Sequence, residues 1–302
     1  MTDKPRSLVI TGSSGFVGER LCLAATKLGF DVIAIDLEIS EKLDCKQISC
    51  DLSKESIASF IPEGATIVHL ASISTDSACR ENPLLAIDVN LRALSLITKA
   101  AATAKSRHLM FASSEWVYPE SELQTEQFET DRLELTDLNS FYAISKLVGE
   151  SILRTTSDTP YSILRFGIVY GPRKTPGSAA ESLALKAYMS QHIEVGSPLT
   201  SRRLIYIDDL IEAILRVVEF GTVSDGGSPL NLSGNELISL SRIVSSVNEI
   251  FNTSSQITDL GKKASIRNPS NSRAKTLLNW EPRTDFSTGI QQCLLTMVDK
   301  EL

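Results

Sequence analysis

The sequence predicts an α/β fold, a doubly wound parallel sheet with a smaller C-terminal lobe. Short β-branched or apolar runs alternate with helix-length segments through the first half of the 302 residues, and strand–helix–strand alternation of this kind marks a parallel sheet covered on both faces. A glycine-punctuated turn joins the first run to the first helical segment. After Tyr170 the alternation loosens into stretches rich in Gly and Pro, where the second lobe is expected.

Ser7–Thr11 is a short β-branched run suited to a buried parallel strand. From Ser14 to Leu28 apolar residues recur at Val17, Leu21, Ala24 and Leu28, which is helical spacing, and Gly29 stands where a helix stops. Asp31–Ile35 and Ile67–Leu70 read as further strands, Asn82–Ala104 as one long helix and Leu109–Ala112 as a strand. Asn139–Arg154 then reads as a helix and Tyr161–Phe166 as the strand after it. Beyond Gly171–Gly177, Arg203–Ile207 is strand-like and Asp208–Phe220 helical, followed by a turn at Thr222–Pro229 with Gly226 and Gly227. The rest reads as short helices and turns, closing on Trp280 and an amphipathic helix over Phe286–Val298. The main domain is therefore expected over 1–168 with 203–222, and the smaller lobe over 169–202 and 223–302.

Composition removes several classes of function. With 42% hydrophobic, 22% charged and 6% aromatic residues the chain is of ordinary globular type. Its net charge of −7 opposes nucleic-acid binding, which needs a basic face. The odd set of five cysteines, Cys22, Cys45, Cys50, Cys79 and Cys293, has no C-x-x-C pair, so reduced thiols and a cytoplasmic location are expected. His69, His108 and His192 lie far apart with no H-E-x-x-H, so no metal is expected. The N-terminus does not read as a cleaved signal, and no apolar run approaches the ~20 residues of a membrane helix.

Gly12-Ser13-Ser14-Gly15-Phe16-Val17-Gly18 follows the first strand and opens the first helix. Glycines there permit a tight turn and close backbone approach to a pyrophosphate, with the helix N-terminus aimed at its charge. Such a triplet alone also describes a simple turn before a helix; its position between strand and helix is what gives it meaning. Asp36 closes the second strand 18 residues beyond Gly18. A carboxylate there accepts hydrogen bonds from ribose hydroxyls and repels a 2′-phosphate, favouring NAD over NADP. These features make the sheet Rossmann-like.

Tyr142-Ala143-Ile144-Ser145-Lys146 places a tyrosine and a lysine at i and i+4, on one face of the expected helix. Such a pair is most often plain helix surface. Beside a dinucleotide loop, an ammonium next to a phenol favours the phenolate and makes the tyrosine a usable base.

At these residues the chain resembles the extended short-chain dehydrogenases/reductases of the NAD-dependent epimerase/dehydratase group, which act on nucleotide sugars. The matching stretches are Thr11–Gly18, Asp36, Asp51-Leu52, His69–Ser72, Asn90, Ser113–Tyr118, Tyr142–Lys146, Leu164-Arg165, Tyr170–Arg173, Arg202 with Tyr206–Asp209, and Leu277–Pro282. The resemblance implies that Asp51 and Leu52 lie beside the adenine, and Leu70, Ala71 and Ser72 along the pyrophosphate and ribose. Asn90 would support the cofactor pocket. Ser114 would hydrogen-bond the reacting hydroxyl beside Tyr142, and Lys146 would also hold the nicotinamide ribose. Arg202 would grip the nucleotide diphosphate, with Ser74, Trp116 and Ile168 facing the substrate. It also implies a homodimer built from the Asn82–Ala104 and Asn139–Arg154 helices.

The chain departs from this pattern in places. Related dehydratases have an Asp-Glu pair where Glu115 and Trp116 stand; Glu115 can serve as an extra acid or base, but Trp116 cannot take a proton, which disfavours dehydration. Pro119 replaces a common Gly. Ile168 replaces an asparagine that helps hold substrate phosphates. Arg267-Asn268-Pro269 is a shortened echo of a late Arg-Pro-Gly-Asp segment. The leading expectation is an NAD-dependent nucleotide-sugar epimerase. The alternatives are an NAD-dependent dehydrogenase or keto-reductase of a sugar or other small alcohol, and a non-catalytic NAD-binding regulator.

Overall fold

The structure, a computed structural model, describes residues 6–221 and 228–298. The Gly226-Gly227 turn and the expected lobe boundary at Val223 lie outside the described residues. The chain divides into two compact units: Met1–Val117, Arg132–Arg165 and Ile211–Leu230 form the first, and Tyr118–Asp131, Phe166–Leu210 and Asn231–Leu302 the second.

The first unit begins with β1 (Ser7–Thr11), α1 (Phe16–Lys27), β2 (Asp31–Asp36), β3 (Lys46–Ser49) and β4 (Thr66–His69). Next come the short helices α2 (Asp76–Glu81) and α3 (Pro83–Ile87), a π-helical turn over Asp88–Arg92, α4 (Ala93–Thr103), β5 (His108–Ser114), α5 (Phe141–Thr156) and β6 (Tyr161–Phe166). Helix α1 stops where the sequence places its glycine: Gly29 has φ +80° and its N–H donates to Thr26 O at 3.0 Å, the left-handed exit that costs an L residue most. The region expected as one long helix over Asn82–Ala104 is helical but interrupted, because the π turn inserts an extra residue into the ladder between α3 and α4. Strand β3 escaped the sequence reading because Lys46–Ser49 has no fully buried residue and no apolar run.

The next elements are β7 (Ile168–Tyr170), α6 (Ala179–Tyr188), β8 (Ile193–Val195), β9 (Ser201–Arg202), β10 (Leu204–Tyr206), α7 (Ile207–Phe220) and β11 (Leu230–Leu232). The central sheet has seven strands in the order β11-β6-β5-β4-β1-β2-β3, with parallel registers through β5-β4-β1-β2-β3. The doubly wound parallel sheet expected from the sequence is therefore present. In one of its core clusters Val9, Ile33, Ile67, Leu109 and Ile163 from the strands meet Leu94, Ile97 and Leu153 from the helices.

The chain ends with β12 (Ile238–Ser239), α8 (Leu240–Phe251), β13 (Ile257–Asp259), α9 (Ser272–Leu278) and α10 (Phe286–Val298). In the second unit β7 pairs with β10 and β8 with β13 in parallel, and β9 pairs with β12 in antiparallel. Helices α6, α8 and α10 pack together there, and α8, at 12 residues, is longer than the short helices expected. Among the described residues no helix is long and apolar enough to cross a membrane.

Helix α5 lies unusually close to β5. A Cβ at Gly149 would stand 2.8 Å from the Phe111 ring and 3.2 Å from Leu94 Cδ2. Gly149→Ala is therefore expected to lose about 1–2 kcal/mol, overpacking outweighing the better helix propensity of alanine. Urea denaturation checks this; an unchanged or higher midpoint would mean that α5 can lift off β5 freely.

Candidate active site

The glycine loop is shaped by three close approaches. Gly12 has φ +71°, and a Cβ on it would lie 2.6 Å from Ala71 N. A Cβ on Gly18 would lie 2.0 Å from Gly12 O, and one on Gly15 3.2 Å from the same oxygen. The spacing thus lets the loop fold under the start of α1 and against the end of β4. Asp36 ties the loop to β2: its Oδ2 accepts from Ser14 N at 2.8 Å and its Oδ1 from Leu37 N at 2.7 Å. Ser14 Oγ donates to Glu38 O at 2.6 Å.

Whether this loop suits a dinucleotide can be tested on its helix. Thr75, Ser140, Ser178 and Ser239 cap α2, α5, α6 and α8 with side-chain oxygens. Helix α1 instead starts at Gly15 with no side-chain cap, and a helix N-terminus with a glycine approach is suited to a phosphate group. The residues present therefore fit NAD. Nearby, Cys50 N donates to Asp36 O at 2.8 Å, bringing Asp51 and the buried Leu52 alongside. Asp51 accepts from Ser53 Oγ at 2.6 Å and meets Lys54 at 2.7 Å. The Lys54 ammonium and the Ser53 hydroxyl hold its carboxyl at about 2.

Beyond β4, Leu70 N donates to Thr11 O, and Ala71 N approaches Thr11 Oγ1 at 3.4 Å. Asn90, buried in the π turn, joins this segment to α5. Its Oδ1 accepts from Ile73 N at 2.8 Å and Ser72 Oγ at 3.2 Å, and its Nδ2 donates to Ile73 O at 3.1 Å and Ser145 Oγ at 3.0 Å. Ser145 Oγ in turn donates to Tyr142 O at 2.7 Å. An extra residue per turn is what aims the amide at both partners.

The structure brings Ser114, Glu115, Trp116, Tyr142 and Lys146 together within the first unit. Ser114 ends β5, its Oγ accepts from Trp116 N at 3.3 Å, and its hydroxyl is near enough to that of Tyr142 to favour the phenolate. Lys146 Nζ donates to Ala112 O at 2.8 Å and sits 5.1 Å from the Phe111 ring centroid and 5.6 Å from that of Tyr142. Trp116 meets Tyr142 edge-on at 6.1 Å, and Glu115 is fully buried. Ser74 is exposed in the loop before α2. Ile168, half-buried and paired with Leu204, and Arg202, on β9, belong to the second unit.

Electrostatics here depart from the expectation of an ammonium-lowered phenol. Burial pushes Tyr142 up to about 12, the Ser114 hydrogen bond opposing it and the Cys79 and Glu115 charges adding to it. Burial likewise brings Lys146 down to about 7. Each member of the pair is disfavoured as an ion, so neither strongly charges the other. Burial, then the Lys146 charge, takes His69 to about 3, while its Nδ1 lies 2.7 Å from Thr11 Oγ1.

Two groups that position this site were missed in the sequence. Asp76 on α2 accepts from Ser140 Oγ at 2.7 Å and from Tyr142 N at 3.4 Å, and Arg80 reaches the Asn139 carbonyl. Together they hold the first turn of α5. Glu150, one turn beyond Lys146, accepts from Ser113 Oγ and Arg165. The local signal was an acidic residue four before a basic one, at Asp76 with Arg80 and at Glu150 with Arg154. Among the described residues no group of three His, Cys, Asp or Glu side chains is placed to hold a metal.

A glycine loop on a parallel sheet and a buried Ser–Tyr–Lys group define an extended short-chain dehydrogenase/reductase. The family model described as "NAD dependent epimerase/dehydratase family" matches residues 8–232. This chain belongs to that family, as the sequence resemblance implied, and NAD is its cofactor. YtcB of Bacillus subtilis (strain 168), named as an uncharacterized UDP-glucose epimerase, is 27% identical over 311 residues, covering 94% of this chain and 95% of that one. A UDP-glucuronate 4-epimerase of Thermodesulfobacterium geofontis is 24% identical over 313 residues, covering 94% of each. The solved structure of MoeE5 in complex with UDP-glucuronic acid and NAD is similar with a TM-score of 0.82 at 20% identity, covering 96% of this chain and 98% of that one.

The depressed proton affinity of Lys146 yields a pH test. Between about pH 7 and 10 the unfolded chain holds a proton on this lysine that the folded chain gives up, so its contribution to stability rises with pH. Below that window both states are protonated, and the full penalty of a buried ammonium applies. Urea unfolding of the wild type and Lys146→Met is expected to show the wild type gaining on the variant from pH 7 to 9.5. A constant difference would mean that the lysine titrates as an exposed one.

Proposed function

We propose that the chain is an NAD-dependent epimerase of a nucleotide sugar. The observation that carries this reading is the buried convergence of the Ser114 and Tyr142 hydroxyls with Lys146 beneath them. The UDP-sugar epimerases among its relatives supply the substrate class.

In this reading the first unit is the NAD-binding domain. Gly12, Ser14, Gly15, Phe16, Val17 and Gly18 take the pyrophosphate, and Asp36 the adenosine ribose. Asp51 and Leu52 flank the adenine; Leu70, Ala71, Ser72 and Asn90 support the other half, with Lys146 on the nicotinamide ribose. When bound, NAD supplies a hydride acceptor that later returns the hydride. Ser114 Oγ holds the reacting sugar hydroxyl, and Tyr142 Oη, once it has lost its own proton to become the phenolate, takes the sugar's proton and gives it back after the sugar has turned. With a proton affinity near neutrality, Lys146 can be an ammonium when the phenolate forms beside it and lower the cost of that charge. Glu115 is a second proton carrier at the same place. Trp116 packs on the Tyr142 ring and, with Ser74, shapes the sugar side. Ile168 and Arg202, in the second unit, are the contribution of the substrate-binding lobe.

The reading includes a cytoplasmic homodimer. All five cysteines are free thiols, which suits a reducing compartment. Helix α3 presents Leu84 at 75% exposure with Leu85 and Ile87 also exposed, an apolar stretch next to α4 and α5 that a second copy would cover. Sedimentation is expected to show a dimer for the wild type and a monomer for Leu84→Glu; a wild-type monomer at micromolar concentration overturns this.

Incubation with UDP-, dTDP-, GDP- and CDP-sugars and catalytic NAD, followed by NMR, is expected to show inversion of one sugar carbon over many equivalents. Tyr142→Phe should lower kcat by about 10²–10⁴-fold, the range for a positioned acid–base group. NADH accumulating in step with product would replace epimerisation by net oxidation. Unchanged activity in Tyr142→Phe would leave the tyrosine without a catalytic part.

A further inference from the structure

Within the second unit, two guanidinium groups share one carboxylate oxygen. Glu120 Oε1 lies 3.4 Å from Arg202 Nη2 and 3.2 Å from Arg267 Nη1. The two arginines are fixed from behind by neutral oxygens. Arg202 Nη1 donates to Ser265 O at 2.6 Å and Ser201 O at 2.8 Å, and its Nη2 to Ser265 Oγ at 2.8 Å. Arg267 Nε donates to Tyr118 O at 2.9 Å.

The partners differ sharply in solvation. The Arg267 side chain is 3% exposed and that of Arg202 17%, while the Glu120 side chain is 42% exposed. A buried guanidinium retains its charge and needs an anion near it. A half-exposed carboxylate can return to water with little loss, because ion pairs of that kind are worth little. Two pinned guanidiniums offer a fork that suits phosphate oxygens. Glu120 is the group such a ligand must exchange with.

We propose that Glu120 is a built-in competing anion at an Arg202–Arg267 site for the diphosphate of the substrate, and that it sets how tightly this diphosphate is held. The proposal rests on the nucleotide-sugar reading of the site. An anionic ligand that arrives displaces the carboxylate into water and inherits both guanidiniums. When it leaves, Glu120 returns and the buried Arg267 charge is not left exposed to an apolar surrounding.

Calorimetric titration of the wild type, Glu120→Gln and Glu122→Gln with UDP, dTDP, GDP and CDP tests this. Glu122, two residues on, pairs with Lys263 at 2.6 Å, so its variant makes the same change in net charge away from the two arginines. Glu120→Gln is expected to bind the accepted diphosphate about 3- to 10-fold more tightly, the scale of one or two exposed ion pairs. Glu122→Gln should match the wild type. Equal or weaker binding by Glu120→Gln, or equal tightening by both variants, overturns the proposal while leaving the substrate class standing. No binding of any of the four diphosphates to any of the three proteins overturns the nucleotide-sugar reading, and this proposal with it.

Discussion

The geometry of the candidate site depends on how closely α5 lies on β5. Ser114 comes from the strand, Tyr142 and Lys146 from the helix, and their convergence is set by the gap between the two elements. Gly149 removes the side chain that would hold them apart. Glu150, fully buried, fixes the lateral position by accepting from Ser113 of β5 and Arg165 of β6. Burial raises the proton affinity of that carboxyl, but the Arg165 hydrogen bonds and charge outweigh it and leave it lowered. A buried pair of this kind is costly to break from one side, so it resists sliding of α5 along the sheet.

The same close packing produces the electrostatic character of the site. Phe111 of β5 lies against the Lys146 ammonium and stacks on His69 at 6.2 Å, so an apolar ring fills the space that water would otherwise occupy. Lysine and tyrosine are then both pushed toward their neutral forms, and His69 with them. The Tyr142–Lys146 pair therefore carries little charge until a proton or ligand enters, and charges created there act strongly because little solvent screens them. Asn90 is neutral for a related reason: an amide can join Ile73 and Ser145 with its donor and acceptor both used and adds no charge to desolvate.

The parts of this arrangement that repeat locally were legible in the sequence. The glycine loop, Asp36 and the Tyr142–Lys146 pair are each set by spacing along one turn, strand or helix. Asn90 was reached only through family resemblance, because its link to Ser145 spans 55 residues. Asp76 and Glu150 carried only the i,i+4 spacing to Arg80 and Arg154, which marks an ordinary helix-surface pair; their positioning partners, Ser140 and Arg165, are chosen by tertiary packing. The direction of the Tyr142 shift was also hidden. Spacing says that a lysine is near a tyrosine, but not that both are buried deeply enough for desolvation to dominate. In the second unit short ladders such as β9–β12, two residues per strand, leave no periodic trace.

Buried ionisable groups are handled in two ways. In the first unit, burial brings Tyr142, Lys146 and His69 toward their neutral forms, which suits a place where a proton must be passed back and forth, while Glu150 and Arg165 keep their charges by pairing. In the second, buried charge is kept. Arg203 is held by Asn268 and Glu126, Arg173 by the fully buried Glu181, and Arg202 and Arg267 by carbonyls and Glu120. Arginine cannot escape burial by losing its proton as a lysine can, so each must be given oxygen partners when the chain folds. Where those partners are backbone carbonyls and an inward carboxylate such as Glu181, the arginine is structural. Where the counter-ion is an exposed carboxylate on the surface side, as at Glu120, the fold has left one partner that a ligand can replace.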